Sequence, residues 1–148
     1  RPGDPGARDR GVTTRIVVID DEPEVCELLG KVLLRAGFEV HAAHTGEAGL
    51  ALLEQHEVRC LVVDKLLPKM GGLEVVAEVR RRWPAMAIVL VTAHPEPFTL
   101  EAARPDVVLA KPFKNLQAIE DAVREALEAT EKDALTGPAL STVVDLLE

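Results

Sequence analysis

The stretch Arg15-Ile16-Val17-Val18-Ile19-Asp20-Asp21-Glu22-Pro23 runs from uninterrupted apolar residues straight into a block of acid. Short apolar runs rich in Val and Ile read as strands buried on both faces of a parallel sheet. Cys60-Leu61-Val62-Val63-Asp64 repeats the pattern and again ends on an aspartate. In open α/β sheets, ligands sit beyond the carboxyl ends of the strands, where the strand order reverses. Three carboxylates (Asp20, Asp21 and Asp64) gathered at that edge repel one another unless a cation lies among them. An all-oxygen donor set of this kind suits a hard divalent ion such as Mg2+.

Working outward, strand and helix signals alternate. Pro23 suits the first turn of a helix, where its missing N–H costs nothing. Val25, Leu28, Leu29, Val32, Leu33 and Ala36 then recur at spacings of three and four, and Gly37 closes that helix. Phe38 to Ala42 reads as a second strand, and Thr45 caps a helix whose inward face is read as Ala48, Ala51 and Leu52. The third strand ends at Asp64, and the turn Leu67-Pro68-Lys69-Met70-Gly71-Gly72 leads to a helix with Leu73, Val76 and Val79 inward. Met86 to Val91 forms a fourth strand ending at Thr92, and Asp106 to Ala110 a short fifth. A last helix runs from about Asn115 to Thr130. The alternation predicts five parallel strands with five helices on both faces, a doubly wound flavodoxin-like α/β fold in the order 2-1-3-4-5.

Composition sets the bounds. The 148 residues are 47% hydrophobic, enough for one domain with a real core. A net charge of −8 argues against direct nucleic-acid binding, for which a basic stripe is expected. No apolar run approaches the roughly 20 residues of a membrane helix, and no signal-peptide pattern opens the chain. Cys26 and Cys60 have neither metal-ligand spacing nor a disulfide framework, so buried free thiols and a cytoplasmic location are expected. Residues 1–14, with Pro2, Gly3, Pro5, Gly6 and Gly11 among charges, have the composition of a disordered linker. Residues 15–131 form the domain. Residues 132–148, interrupted by Gly137-Pro138, read as a C-terminal tail or short extra helix; the alternative is a linker to another domain or a contact in a homodimer. An opening Arg1 in place of Met reads as a piece excised from a longer chain. Of the histidines, His41, His44 and His56 read as surface residues, and His94 falls at the rim of the acidic edge.

The polar residues at the strand ends carry the functional signal. Asp20-Asp21-Glu22-Pro23, Val63-Asp64 followed by Pro68 and Gly72, Val91-Thr92-Ala93 and Lys111-Pro112-Phe113 together resemble the receiver domain of two-component response regulators, of the chemotaxis-regulator kind, over residues 15 to 131. The resemblance implies a phosphoacceptor signalling domain and not a conventional enzyme. Asp64 would accept a phosphoryl group from a sensor histidine kinase or phosphotransfer protein. Asp21, Asp64 and the Leu66 carbonyl would bind Mg2+ directly, with Asp20 acting through water. Thr92 would meet one phosphoryl oxygen and Lys111 another. An output domain or partner protein would read the result.

Two features depart from that pattern. Many receivers carry Tyr or Phe where this chain has Val108, and the chain contains no Tyr. Thr92 and Lys111 lie 19 positions apart, closer than the family's usual spacing, and Pro95, Pro97 and Pro105 fall between them. Only Phe98 to Ala103 could form a helical turn or two there, so the fourth helix is expected to be short or irregular. These departures keep a second reading open: a pseudo-receiver, a binding module with altered or lost switching. A metal-dependent phosphatase of similar topology would need Asp-x-Asp after the first strand, which Asp20-Asp21-Glu22 lacks. A flavodoxin-type cofactor carrier would need a Ser/Thr/Gly phosphate loop where this chain has carboxylates.

Overall fold

The computed structural model describes residues 13–94 and 104–147. Five strands, β1 (Arg15–Ile19), β2 (Glu39–Ala43), β3 (Cys60–Asp64), β4 (Ala87–Thr92) and β5 (Val107–Ala110), form one sheet in the order β2-β1-β3-β4-β5. Every pairing is parallel, with Ile16 opposite both Val40 and Cys60 and Asp64 opposite Val91. The order expected from the sequence is the observed one. Among the described residues there are four helices: α1 (Pro23–Arg35), α2 (Gly46–Gln55), α3 (Gly72–Arg82) and α4 (Leu116–Leu147). The helical turn expected at Phe98 to Ala103, like nearly all of the expected N-terminal linker, lies outside the described residues. Thr14, assigned to that linker, already accepts the Glu39 N–H at 2.9 Å and so extends the pairing of β1 with β2.

Strand alternation divides the core in two. Ile16, Val18, Val62, Val89 and Val91 face α1 and α4, where Leu29, Leu33, Ile119, Val123 and Ala126 meet them. Val17, Ile19, Leu61, Val63, Ile88 and Leu90 face α2 and α3, against Leu53, Val75, Val76 and Val79. Strands β3 and β4 are buried along their whole length, as unbroken apolar runs require. Both cysteines are buried free thiols.

The inward faces of two helices differ from expectation. Helix α2 turns Gly46, Gly49 and Leu53 inward, while Leu52 is only partly buried and Ala48 is exposed. The reason is close approach: a Cβ at Gly49 would fall 2.5 Å from Ile19 Cγ1, so the glycine lets the helix lie flat on β1. Thr45 caps this helix as expected, accepting the Ala48 N–H at 3.0 Å. In α3, Val75 joins Val76 and Val79 in the core and Leu73 packs at its margin.

Helix α4 does not stop near Thr130. It continues unbroken to Leu147, through Gly137 and Pro138. An interior proline costs a helix about 3 kcal/mol and a glycine about 1 kcal/mol, which is why sequence reasoning placed a breaker there.

Candidate functional site

Each polar residue singled out at a strand end arrives at one edge of the sheet. Asp20 follows β1, Asp64 and Thr92 end β3 and β4, and Lys111 follows β5. Asp20, Asp64 and Thr92 are buried despite their polarity. Lys111 Nζ donates to Asp20 Oδ2 at 3.1 Å and to Asp64 Oδ2 at 3.2 Å, so one ammonium bridges two carboxylates. Asp21 is exposed, and one carboxylate oxygen from each of Asp20, Asp21 and Asp64 lies within 4.8 Å of the others, close enough to share a metal ion.

The electrostatics of the cluster are unbalanced. Burial, and after it the charge of Asp20, push the Asp64 carboxyl above its ordinary range, with Lys111 only partly offsetting them. Burial works against the charged Lys111, but Asp20 and Asp64 outweigh it and raise the ammonium above its usual value. Lys111 thus bridges Asp20 and Asp64, Asp21 lies beside them, and a cluster of three carboxylates fits a further cation. All three donors are hard oxygens, the set that small divalent ions take.

The surrounding backbone explains the neighbouring residues. The Leu66 N–H donates to Asp64 Oδ1 at 3.3 Å, and the Leu66 side chain stands 66% exposed beside the site. A Cβ on Gly72 would sit 2.6 Å from Lys65 Cα and 2.9 Å from the Asp64 carbonyl carbon, so the start of α3 can abut Asp64 only as glycine. The Thr92 hydroxyl is engaged with its own loop, donating to the His94 carbonyl at 3.1 Å and accepting the His94 N–H at 3.0 Å. The Lys111–Pro112 peptide is cis. Val108, at the position where an aromatic residue is usual, is 40% exposed.

Sequence reasoning missed one member of the site's surroundings. His44, read as a surface residue, is exposed, yet its Nδ1 lies 3.1 Å from the Asp20 carbonyl oxygen. Cys26 donates its thiol to the same oxygen at 3.3 Å, and burial followed by the charge of Asp20 pushes that thiol up, keeping it protonated. The contact joins the β2–α2 turn to the end of β1 across 24 residues, and no local pattern announces it. His41 and His56 stack on each other instead, with ring centroids 4.4 Å apart.

A parallel sheet of this order with acids at its switch point has the architecture expected of a receiver domain, and the comparison with known proteins shows that family. The chain belongs to the response regulator receiver domain family, whose model matches residues 16–131. A response regulator receiver protein of Anaeromyxobacter sp. (strain Fw109-5) is 38% identical over 96 residues, covering 65% of this chain and 40% of that protein. The transcriptional regulatory protein GlrR of Escherichia coli (strain K12) is 31% identical over 123 residues, covering 79% of this chain and 28% of GlrR. The chain therefore spans less than half the length of these relatives. Among solved structures, the response regulator TrrA of Thermotoga maritima, in complex with Mg2+-BeF, is 31% identical with a TM-score of 0.72 over 78% of this chain and all of its own. A CheY-like receiver domain protein of Methanospirillum hungatei JF-1 is 28% identical, with a TM-score of 0.73 over 82% of this chain and 98% of its own. Among the described residues, no helix is long and apolar enough to cross a membrane.

Proposed function

We propose that this receiver domain is a phosphoacceptor: Asp64 takes a phosphoryl group from a sensor histidine kinase or phosphotransfer protein in the cytoplasm, with Mg2+ as cofactor. The observation that carries the reading is the Lys111 ammonium held against both Asp20 and Asp64. A carboxylate of Asp64 attacks the phosphorus, an Asp64 O–P bond forms, and the P–N bond of the donor phosphohistidine breaks. The departing imidazole keeps the bonding pair and takes up a proton. Asp20, Asp21, Asp64 and the Leu66 carbonyl would hold Mg2+, whose charge offsets that of the phosphoryl oxygens during transfer. The complex of TrrA with Mg2+-BeF supports that assignment by likeness.

The protein's own groups do the rest. Lys111, a compact ammonium on a flexible stem, pairs with a phosphoryl oxygen as the Asp64 carboxylate loses its charge on forming the acyl phosphate. The raised Asp64 carboxyl belongs to a carboxylate made less comfortable by burial and by Asp20, and therefore readier to bond to phosphorus. Thr92 reaches a phosphoryl oxygen only by leaving the His94 backbone, which links the chemistry to the loop after β4. With no aromatic ring at Val108, that loop and the exposed face of β5 carry the signal to an output partner.

The test is direct. Incubation with Mg2+ and phosphoramidate or acetyl phosphate should add one phosphoryl group by intact mass, and Asp64→Asn should add none. An equal mass gain in Asp64→Asn would sink the assignment, and no gain in the native chain would favour a receiver that has lost phosphorylation.

A further inference from the structure

Asp20 is held at every polar handle it has. Its N–H donates to the Ala43 carbonyl at 3.1 Å, its Oδ1 accepts the Glu22 N–H at 2.9 Å, and its Oδ2 accepts from Lys111. Its carbonyl oxygen is approached by the Cys26 thiol at 3.3 Å and by His44 Nδ1 at 3.1 Å. A carbonyl oxygen only accepts, so a ring nitrogen at 3.1 Å must carry the proton. The contact assigns His44 the Nδ1–H tautomer. The Cys26 thiol, 3.6 Å from the same nitrogen, then directs its proton to the carbonyl as well.

The consequence falls on Asp21. The peptide unit is rigid and planar, so pinning the Asp20 carbonyl also fixes the direction of the Asp21 N–H and the placement of the Asp21 Cα. Asp21 is the exposed member of the acid cluster, and its neighbours Asp20 and Asp64 are buried. Its carboxylate is therefore aimed chiefly by the backbone that carries it.

We infer that His44 is a positioning residue for the acid cluster: by donating from Nδ1 to the Asp20 carbonyl it sets the peptide plane that presents Asp21 to a bound cation. This rests on the reading of Asp20, Asp21 and Asp64 as the Mg2+ site. His44 touches neither metal nor phosphoryl group; it lowers the cost of ordering a ligand. Its loss should therefore weaken Mg2+ binding and leave the rate of phosphoryl uptake at saturating Mg2+ unchanged.

Asparagine places an amide N–H near the position of Nδ1, whereas glutamine places one near that of Nε2. Calorimetric titration of the full chain with MgCl2 should show about five-fold weaker binding for His44→Ala, the equivalent of one net hydrogen bond of about 1 kcal/mol. His44→Gln should match the alanine variant and His44→Asn should match the native chain. All should take up phosphoramidate at the native rate once Mg2+ is saturating. Long-range 1H–15N NMR should find the His44 proton on Nδ1. Equal Mg2+ affinity in the Asn and Gln variants overturns the proposal even if the alanine variant fails to fold, and so does a proton found only on Nε2. Failure of the native chain to bind Mg2+ at all overturns the metal reading, and this proposal with it.

Discussion

The two ends of the sheet handle charge in opposite ways. At the amino ends of the strands, charges are matched. Arg15 Nε meets Glu39 at 2.6 Å, and Arg80 meets Asp106 at 2.8 Å. At the carboxyl ends, Lys111 bridges two of three clustered carboxylates, Asp20 and Asp64. The titration of the two ends shifts accordingly: Glu39 falls to about 2 under the Arg15 hydrogen bond and that of His41, whereas burial and Asp20 raise Asp64. The matched end contributes stability. The unmatched end holds like charges close together against their repulsion, which fits the cation proposed for it.

The largest effect should come from breaking the matched end at Arg80. Its guanidinium donates to Asp106 and to the carbonyls of Arg104, Pro84 and Met86, tying the end of α3 to the starts of β4 and β5. Asp106 also accepts the Ile88 N–H at 2.8 Å, so it stays in place when Arg80 is lost. Arg80→Met should cost about 3 kcal/mol, because a largely buried carboxylate and three carbonyls lose their donor together. Urea melts check the value. A cost like that of Arg81→Met, whose only described pairing is with Glu78 on the same helix, would deny the amino end its special role.

At the unmatched end the sign should reverse. A carboxyl raised above its unfolded value supports the fold fully only below that unfolded value, and the support is lost as pH rises through the folded one. Asp64→Asn should therefore stabilise the metal-free protein at neutral pH by about 1 kcal/mol, the usual gain when a functional compromise is relieved. The gap between variant and native chain should open as pH rises from about 4, where unfolded carboxylates titrate. Added Mg2+ should close it by stabilising the native chain alone. Thermal melts across pH, with and without Mg2+, decide the matter; a variant less stable than the native chain throughout would show that Lys111 already balances the cluster.

How much of this was legible before the structure divides along physical lines. The strands and their ending acids were legible because a buried parallel strand is a local signal, an unbroken apolar run with an abrupt polar stop. The assembly of Asp20, Asp64, Thr92 and Lys111 followed once those ends were placed on one edge. The face of α2 was misread because Gly46 and Gly49 define it through closeness to Val75 and Ile19, and a hydrophobic count passes over glycine. Arg80, Arg81 and Arg82 are indistinguishable in sequence, yet only the first reaches across to Asp106. His44 was invisible for a related reason: its partner is a backbone carbonyl, which has no residue type to recognise.

The smallest effect tests the matched end from its exposed side. The Arg15 hydrogen bond, and after it that of His41, hold Glu39 at about 2, below the ordinary carboxylate value of 4.5. A carboxyl depressed on folding contributes stability above its unfolded value, and that contribution is lost as pH falls through the folded one. The native chain should therefore lose stability between about pH 4.5 and pH 2 in part through this group. Glu39→Gln removes the titration, so its stability should fall less steeply with acid across the same window, from a slightly lower starting point. The side chain of Glu39 is 40% exposed, so solvent screens most of the attraction and the difference in slope should be small. Paired acid titrations of the two proteins, followed by circular dichroism, isolate it because every other carboxylate is common to both. Superimposable curves would mean that the Arg15–Glu39 pair orders the edge of the sheet without stabilising it. The contrast between the two ends would then rest on Arg80 alone.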